Sequence, residues 1–263
     1  MKHRLKNFGF KSNKKIPVDN FFDKVLYKPK LGYYNNQFPF GKDGDFITSP
    51  TISNLFSEIL AIWIISVWEK LEKPKKFNLV ELGPGDGSLT KVLIQTFKKF
   101  PEFNDSAKIF LYEKSSLLKK IQKKKIESKK ISWIKNYNSI KKGPIIFFGN
   151  EFFDAIPIKQ FIVNNKKFLE KCYLANKKGL SETFKKASPA DIALIKSFDV
   201  LKNQNFIEYP KLGFQELNKI IKKISNLSGG ILLIDYGYLT PFNENTIQAV
   251  MKNKKLKMNN LQN

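Results

Sequence analysis

The stretch VELGPGDG, residues 80–87, constrains the fold of this chain more than any other. An apolar segment ends in an acid, Glu81, and three glycines follow at alternate positions, Gly83, Gly85 and Gly87. A turn this bare can adopt positive φ and lets the backbone approach a ligand without an intervening Cβ. A tight strand-to-helix turn can also use glycine, but three glycines in alternation favour a turn that binds a ligand.

Strand-like and helix-like segments alternate on both sides of this turn. Continuous apolar strands that alternate with amphipathic helices predict an α/β fold, with a mostly parallel sheet covered by helices on both faces. Ligands bind such sheets at the carboxyl ends of the strands, which is where the glycine turn lies. The predicted strands are 78–82, 108–113, 131–134, 145–153 and 231–237, and the predicted helices are 88–100, 115–127 and 211–226.

Two helical segments precede the alternating pattern. Residues 17–26 read as a short amphipathic helix with Asp19 in its first turn, after a loose basic leader at residues 1–18. Apolar residues at helical spacing predict a second helix over 50–71 with a wide buried face. Ser49, followed by a proline, is a typical N-cap, so this helix is expected to begin there.

After the fourth predicted strand the alternation is interrupted. Residues 159–175 read as a β-hairpin with Asn164 and Asn165 at its turn. The predicted domains are a basic leader with a helical extension (1–72), an α/β core (73–250) and a lysine- and asparagine-rich tail (251–263).

The composition narrows the class of protein. The net charge of +24 invites a nucleic-acid interpretation, but Arg4 is the only arginine and lysine supplies the other cations. This pattern favours a drift in codon usage over a selected phosphate-binding surface.

The longest apolar run, residues 59–68, is half the ~20 residues of a membrane span. With Cys172 the only cysteine and His3 the only histidine, we expect no disulfide and no metal cluster. The start of the sequence lacks the apolar core of a signal peptide, so we expect a cytoplasmic protein, with a transit peptide as the weaker alternative.

The spacing of the glycines discriminates among nucleotide ligands. The dinucleotide fingerprint G-x-G-x-x-G has its third glycine where Ser88 stands here, and no G-K-[ST] follows to make a P-loop. Glu113 ends the second predicted strand, where an acid binds the hydroxyls of a ribose, although a solvated charge is the alternative. An acid-x-Gly-x-Gly-x-Gly turn with a second-strand acid is the pattern of S-adenosylmethionine-dependent methyltransferases. The predicted cofactor-binding residues are Glu81, Gly83, Pro84, Gly85, Gly87, Glu113, Ser49 and Asn150.

Four stretches resemble the motifs of the MidA-like family of methyltransferases, in that family's order: GYYNNQFPFGKDGDFITSP, ELGPGDG, NEFFDAIPIKQF and GGILLIDYGY. The resemblance covers about residues 16–250. It implies a Rossmann-like methyltransferase core with an N-terminal helical extension and an inserted hairpin, and S-adenosylmethionine as cofactor. Mitochondrial members are protein arginine methyltransferases that serve the assembly of respiratory complex I. The resemblance therefore implies a protein substrate, with a respiratory-complex subunit as candidate partner.

Three features depart from the family pattern. Asp86 stands where the family often has a basic residue, and Thr51 where it often has an acid. The family also continues well beyond residues 246–250. The two terminal strands of the usual methyltransferase sheet are therefore expected to be missing here.

The chemistry of methyl transfer points to acids near the fourth strand. Transfer from a sulfonium is an in-line displacement, so it depends on positioning and on an electron-rich nucleophile. A guanidinium has a pKa above ~12, so carboxylates must orient it and accept the released proton. We predict that Glu151 binds the guanidinium and that Asp154 is a second carboxylate. The alternatives are that Asp154 caps the following turn and that Glu151 only binds backbone.

Two other functions stay open at the level of sequence. Methylation of RNA or a nucleobase fits the positive charge, but amino-nitrogen base methylation uses [DNS]-P-P-[YFW] at this place, and no Pro-Pro follows Asn150. Phe152 and Phe153 are therefore expected to pack in the core. The expected loss of terminal strands favours a third function, that of a non-catalytic assembly factor.

Overall fold

The structure is a computed structural model of the chain, and it describes residues 7–37, 39, 45, 53–176, 179–240, 242–251 and 254–256. The described helices are α1 (Val18–Tyr27), α2 (Tyr33–Asn36), α3 (Asn54–Lys70), α4 (Ser88–Phe97), α5 (Pro101–Ser106), α6 (Ser116–Lys125), α7 (Pro189–Lys196) and α8 (Lys211–Leu227). The described strands are β1 (Lys15–Pro17), β2 (Phe77–Leu82), β3 (Ala107–Tyr112), β4 (Ile131–Ile134), β5 (Ile145–Asn150), β6 (Lys159–Asn164), β7 (Lys167–Asn176), β8 (Gly179–Lys186), β9 (Phe206–Tyr209), β10 (Gly229–Ile234), β11 (Ala249–Met251) and β12 (Lys254–Leu256).

The chain forms two compact units, each built from separate segments of sequence. Unit 1 comprises Met1–Tyr33, Phe153–Glu216 and Tyr236–Asn263. Unit 2 comprises Tyr34–Phe152 and Leu217–Asp235.

Unit 2 contains a five-stranded sheet in the order β10-β5-β2-β3-β4. All four pairs of neighbouring strands are parallel, and β10 pairs only with β5 among the described residues. The central strand β2 is buried at every residue, as expected for a strand that helices cover on both faces. The prediction of an α/β fold with a parallel sheet is confirmed.

Aromatic side chains fill the core of unit 2 beside the sheet. The ring of Phe103 lies 4.7 Å from that of Phe97, 5.4 Å from that of Trp68 and 6.0 Å from that of Phe77, measured between centroids. All four side chains are buried. Edge-to-face contacts of this kind add to the burial of apolar surface, so the cluster fixes α3, α4 and α5 against β2.

Helix α3 buries a narrower face than the sequence predicted. Its N-cap is Ser53, whose Oγ accepts the Leu55 N–H at 3.1 Å, and the predicted start of the helix lies outside the described residues. Leu60 and Ile64 are buried, but Leu55 and Ile59 are each 61% exposed. Because apolar residues lie on nearly every face of this helix, their spacing does not indicate which side packs against the core.

Among the described residues, none of the helices has both the length and the apolar composition needed to span a membrane.

Unit 1 contains an antiparallel sheet that the sequence predicted only in part. Its strand order is β1-β7-β6-β9, and β8 also pairs with β7. Strand β1 lies within the predicted loose leader, which corrects that prediction: Ile16 pairs with Tyr173, and both pack with Phe21 in a buried cluster. A strand of three residues is defined by its partner rather than by its own pattern, so the sequence alone did not predict it.

The predicted hairpin is present as β6 and β7, but its turn lies one residue later than predicted. Asn164 pairs with Lys167, so Asn165 and Lys166 form a two-residue turn. Their φ angles are 47° and 62°, as a type I′ turn requires. Two adjacent asparagines left the turn ambiguous by one residue, and the pairing of the flanking strands decided it.

An ionic network around two buried carboxylates connects the elements of unit 1. Lys159 Nζ lies 2.7 Å from Glu170 Oε1 and 2.8 Å from Asp191 Oδ2, and Lys211 Nζ lies 2.9 Å from Asp191 Oδ1. Burial opposes ionisation of Asp191, but the hydrogen bonds from both lysines lower its pKa to about 2. Asp19, in the first turn of α1 as predicted, is buried nearby, and burial raises its pKa.

Replacement of Lys166 by glycine is expected to stabilise the protein. Glycine adopts φ near 62° without the steric cost that a Cβ imposes, so the free energy of unfolding should rise by roughly 0.5–1 kcal/mol. The neighbouring Lys167→Gly, within β7, should lower it by a similar amount, since glycine weakens a strand. Urea denaturation of both variants checks this, and a loss of stability in both would contradict the assigned turn.

Candidate functional site

The glycine turn of unit 2 adopts a backbone that side chains would disrupt. Gly83, Gly85 and Gly87 have φ angles of 63°, 56° and 83°. A Cβ on Gly83 would lie 2.9 Å from Cδ2 of Phe152, and one on Gly87 would lie 2.7 Å from Cδ1 of Ile126. The absence of side chains is therefore required both by backbone conformation and by the close approach of neighbouring residues.

Hydrogen bonds close this turn and connect it to α4. The Gly87 N–H donates to the carbonyl of Pro84 at 2.8 Å, and Pro84 is buried. Asp86 Oδ1 accepts the Ser88 N–H at 2.9 Å, and Asp86 also pairs with Lys125 of α6. Asp86 thus accepts a main-chain N–H at the start of α4, which a basic side chain at this position would not do.

Glu81 lies in β2 directly before the turn and is buried. Its Oε2 accepts a hydrogen bond from the Thr90 hydroxyl of α4. Burial raises the pKa of the Glu81 carboxyl to about 8, while the bond from Thr90 lowers it and the charges of Asp86 and Glu113 raise it. A buried acid of this kind ionises readily only when a positive charge comes close.

Glu113 follows β3 and is 8% exposed. Because Leu82 pairs with Tyr112 in the parallel sheet, the glycine turn and Glu113 leave neighbouring strands at the same edge. Oε1 of Glu113 accepts the Ser115 N–H at 2.7 Å, and Oε2 accepts Nε2 of Gln122 at 3.2 Å. Burial raises the pKa of Glu113, and these two hydrogen bonds oppose that shift.

Glu151 follows β5 in a left-handed backbone conformation, with φ of 52°. Its N–H donates to the carbonyl of Ile234 at 2.8 Å, and its Oε1 is 3.4 Å from Nδ2 of Asn150. Asn150, a predicted cofactor residue, is half-buried at the end of β5. Burial raises the pKa of Glu151, the contact with Asn150 lowers it, and the negative charge of Asp235 raises it.

Asp235 is a residue that the sequence analysis did not name. It follows β10, whose last residue, Ile234, pairs with Asn150. The two parallel strands therefore end together, and Asp235 and Glu151 leave the sheet side by side. The signal was present in the sequence as an acid directly after the strand ILLI, but only the register of β10 on β5 links it to Glu151.

Two predicted site residues are not among the described residues of unit 2. Asp154 is an exposed residue of the turn in which the Ile156 N–H donates to the Phe153 carbonyl at 3.1 Å; it belongs to unit 1, and its role as a second carboxylate stays a prediction. Ser49 lies outside the described residues, as does Thr51.

The residues at this edge of the sheet fit the predicted cofactor. A side-chain-free turn allows main-chain contact with a nucleoside, and Glu113 at the end of the next strand is a hydrogen-bond acceptor for a ribose. Glu81, buried below the turn, suits a ligand that carries positive charge.

Comparison with known proteins agrees with this geometry. Residues 59–263 match a family model described as S-adenosyl-L-methionine-dependent methyltransferase. The chain belongs to this family. It is 30% identical over 258 residues to mitochondrial protein arginine methyltransferase NDUFAF7 of Xenopus laevis, covering 88% of the chain and 59% of that relative. The human protein of the same name is 34% identical over 178 residues, which is 59% of the chain and 40% of that protein.

A solved structure shows the same fold. It is a protein from Burkholderia thailandensis bound to S-adenosyl-homocysteine, with a TM-score of 0.72 at 20% identity. The match covers 90% of this chain and 61% of that one. The chain thus spans about 60% of the length of the Xenopus laevis relative and of the Burkholderia thailandensis protein, and 40% of the human one. The expectation of a cytoplasmic protein is contradicted, since the curated relatives are named as mitochondrial.

Glu81→Gln is expected to stabilise the protein at alkaline pH. Glu81 ionises near its ordinary value of 4.5 when unfolded but near pH 8 when folded, so the folded state holds an extra proton between those values. The stability due to this group is therefore present below pH 4.5 and falls as the pH rises to about 8. Glutamine removes this dependence.

The gain of Glu81→Gln over wild type should be small at pH 5 and on the order of 5 kcal/mol above pH 8. Urea denaturation across this range measures it. Glu69→Gln, an exposed change on α3 of the same unit, is the matched control. An equal effect of Glu81→Gln at both pH values would show that Glu81 is not the group that binds the extra proton.

Proposed function

We propose that this chain transfers the methyl group of S-adenosylmethionine to an arginine side chain of a protein. The observation on which this depends is the position of Glu151 and Asp235, two carboxylates at the ends of adjacent strands on the cofactor edge of the sheet. Membership of the methyltransferase family and relatives named as protein arginine methyltransferases support it. A respiratory-complex subunit as the protein substrate stays a prediction.

The cofactor would be held by the backbone of the glycine turn and by acids around it. Gly83, Gly85 and Gly87 offer main-chain atoms, and Glu113 accepts hydrogen bonds from the ribose hydroxyls. When bound, S-adenosylmethionine supplies an electrophilic methyl group on a sulfonium. Its positive charges would favour ionisation of Glu81, whose pKa burial raises to about 8.

Glu151 would bind and orient the guanidinium of the substrate. A bidentate carboxylate–guanidinium pair fixes one nitrogen in line with the methyl carbon. In this arrangement Glu151 would hold the nitrogen that takes the methyl group, while sulfur would keep the electron pair of the carbon–sulfur bond. Glu151 would also accept the released N–H proton, since burial raises its pKa and makes it a better base.

The packing near Glu151 favours arginine over a nucleobase. A base-methylating site needs an aromatic ring free to stack on the flipped base. The ring of Phe152 instead lies against the backbone of Gly83 and 6.3 Å from the ring of Tyr112, between centroids. Carboxylates suit a cationic substrate better than a neutral base.

Replacement of Glu151 by glutamine tests the proposal directly. Label transfer from S-adenosylmethionine to an arginine-containing protein substrate should fall by about 100-fold or more, because glutamine neither pairs with the guanidinium nor accepts its proton. Calorimetry should show cofactor binding within a factor of two of wild type. Label transfer to RNA by the wild type, with none to protein, would overturn the proposed substrate class.

The pH dependence of the rate can distinguish Asp235 from Asp154 as the second carboxylate. Asp235 raises the pKa of Glu151, so Asp235→Asn should shift the acid limb of the kcat profile to lower pH and raise the KM for substrate. Asp154→Asn, the matched change at the other predicted acid, should leave that limb in place. The reverse result would assign the second carboxylate to Asp154, as the sequence predicted.

A further inference from the structure

Gln122 of α6 is fully buried and uses both ends of its amide. Its Nε2 donates to the carbonyl of Gly85 at 2.8 Å and to Oε2 of Glu113 at 3.2 Å. Its Oε1 accepts the indole N–H of Trp133 at 2.9 Å. One side chain therefore connects the glycine turn after β2, the acid after β3 and an indole of β4.

The chemistry of the partners fixes the orientation of this amide. An indole nitrogen only donates, whereas a carbonyl and a carboxylate only accept. The oxygen of Gln122 must therefore face Trp133, and its nitrogen must face Gly85 and Glu113. Asparagine is one methylene shorter, and glutamate would place a second negative charge against Glu113, so glutamine alone among these residues satisfies all three partners.

The neighbouring residues of α6 contact the same turn. Cδ1 of Ile126, the residue that ends α6, fills the space beside Gly87, and Lys125 pairs with Asp86. These contacts position the turn as a whole. Gln122 differs from them because it also hydrogen-bonds to the carboxylate that faces the predicted ribose.

We propose that Gln122 is a positioning residue of the cofactor site, which holds the Glu113 carboxylate and the Gly85 peptide in the arrangement that receives the nucleoside. This inference rests on the proposed function, since it takes the cofactor to bind at the glycine turn. Gln122 does not touch the reacting atoms. It acts through Glu113, whose Oε1 is held in turn by the Ser115 N–H.

A positioning role for Gln122 predicts a change in the pH dependence of cofactor binding, which a role in packing alone does not predict. The hydrogen bond from Gln122 lowers the pKa of Glu113 against the effect of burial. The charged groups that interact with Glu113 are Lys119 of α6, which lowers its pKa, and Glu81 of β2, whose own pKa it raises. Both stay in place when only Gln122 is changed.

The test is calorimetric titration of the full chain with S-adenosylhomocysteine between pH 5 and pH 8. Gln122→Met keeps the length of the side chain and removes its hydrogen bonds. The Kd of Gln122→Met should be about tenfold higher than that of the wild type at pH 7. The pH below which binding weakens should also be higher in this variant. Gln160→Met is the matched control, since Gln160 is also fully buried but bonds to Glu208 and Asn245 of unit 1.

The outcomes separate this inference from the proposed function. If the wild type binds S-adenosylhomocysteine and Gln122→Met binds it with the same Kd and pH profile, the positioning role is wrong. If the wild type does not bind it at any pH, the proposed cofactor site fails and the inference fails with it.

A milder variant applies if Gln122→Met does not fold, as judged by circular dichroism. Trp133→Phe removes the donor to Gln122 Oε1, keeps an aromatic ring at this position and leaves the bonds to Gly85 and Glu113. It should weaken binding about two- to threefold and move the pH profile in the same direction. An unchanged Kd and pH profile in Trp133→Phe would overturn the proposal.

Discussion

The parallel direction of β2, β3, β5 and β10 is the constraint on which the site depends. Main-chain hydrogen bonds align these strands, so their last residues reach one edge of the sheet together. The glycine turn, Glu113, Glu151 and Asp235 all follow directly after a strand at that edge. The alignment of the strands thereby brings together residues that are separated by up to about 150 positions in sequence.

Helix α6 gives this edge its detailed shape. Ile126 packs against Gly87, Lys125 pairs with Asp86, and Gln122 binds both Gly85 and Glu113. Burial raises the pKa of Glu81 to about 8 and also raises the pKa of Glu113, so ionisation of these acids carries a free-energy cost. A ligand that carries positive charge relieves this cost, which matches the charge of a sulfonium cofactor.

The sequence predicted what local pattern determines and not what distant pairing determines. Continuous apolar runs identified the strands of unit 2, and the spacing of glycines identified the turn. Strand β1 was not predicted because it is defined only by its pairing with β7. The exposed side of α3 was not predicted because the apolar residues of this helix lie on nearly every face. Asp235 was not recognised as a neighbour of Glu151 because no local pattern reveals the register of β10 on β5.

The left-handed backbone at Glu151 has a consequence for how this protein tolerates change. A residue with a Cβ at φ of 52° costs about 1–2 kcal/mol relative to an ordinary conformation, and glycine would largely remove that cost. Selection for thermal stability alone would therefore favour replacement of Glu151 by glycine. On the proposed role of Glu151, variants selected in this way would keep the fold and lose activity, so such a selection needs an activity assay at every round.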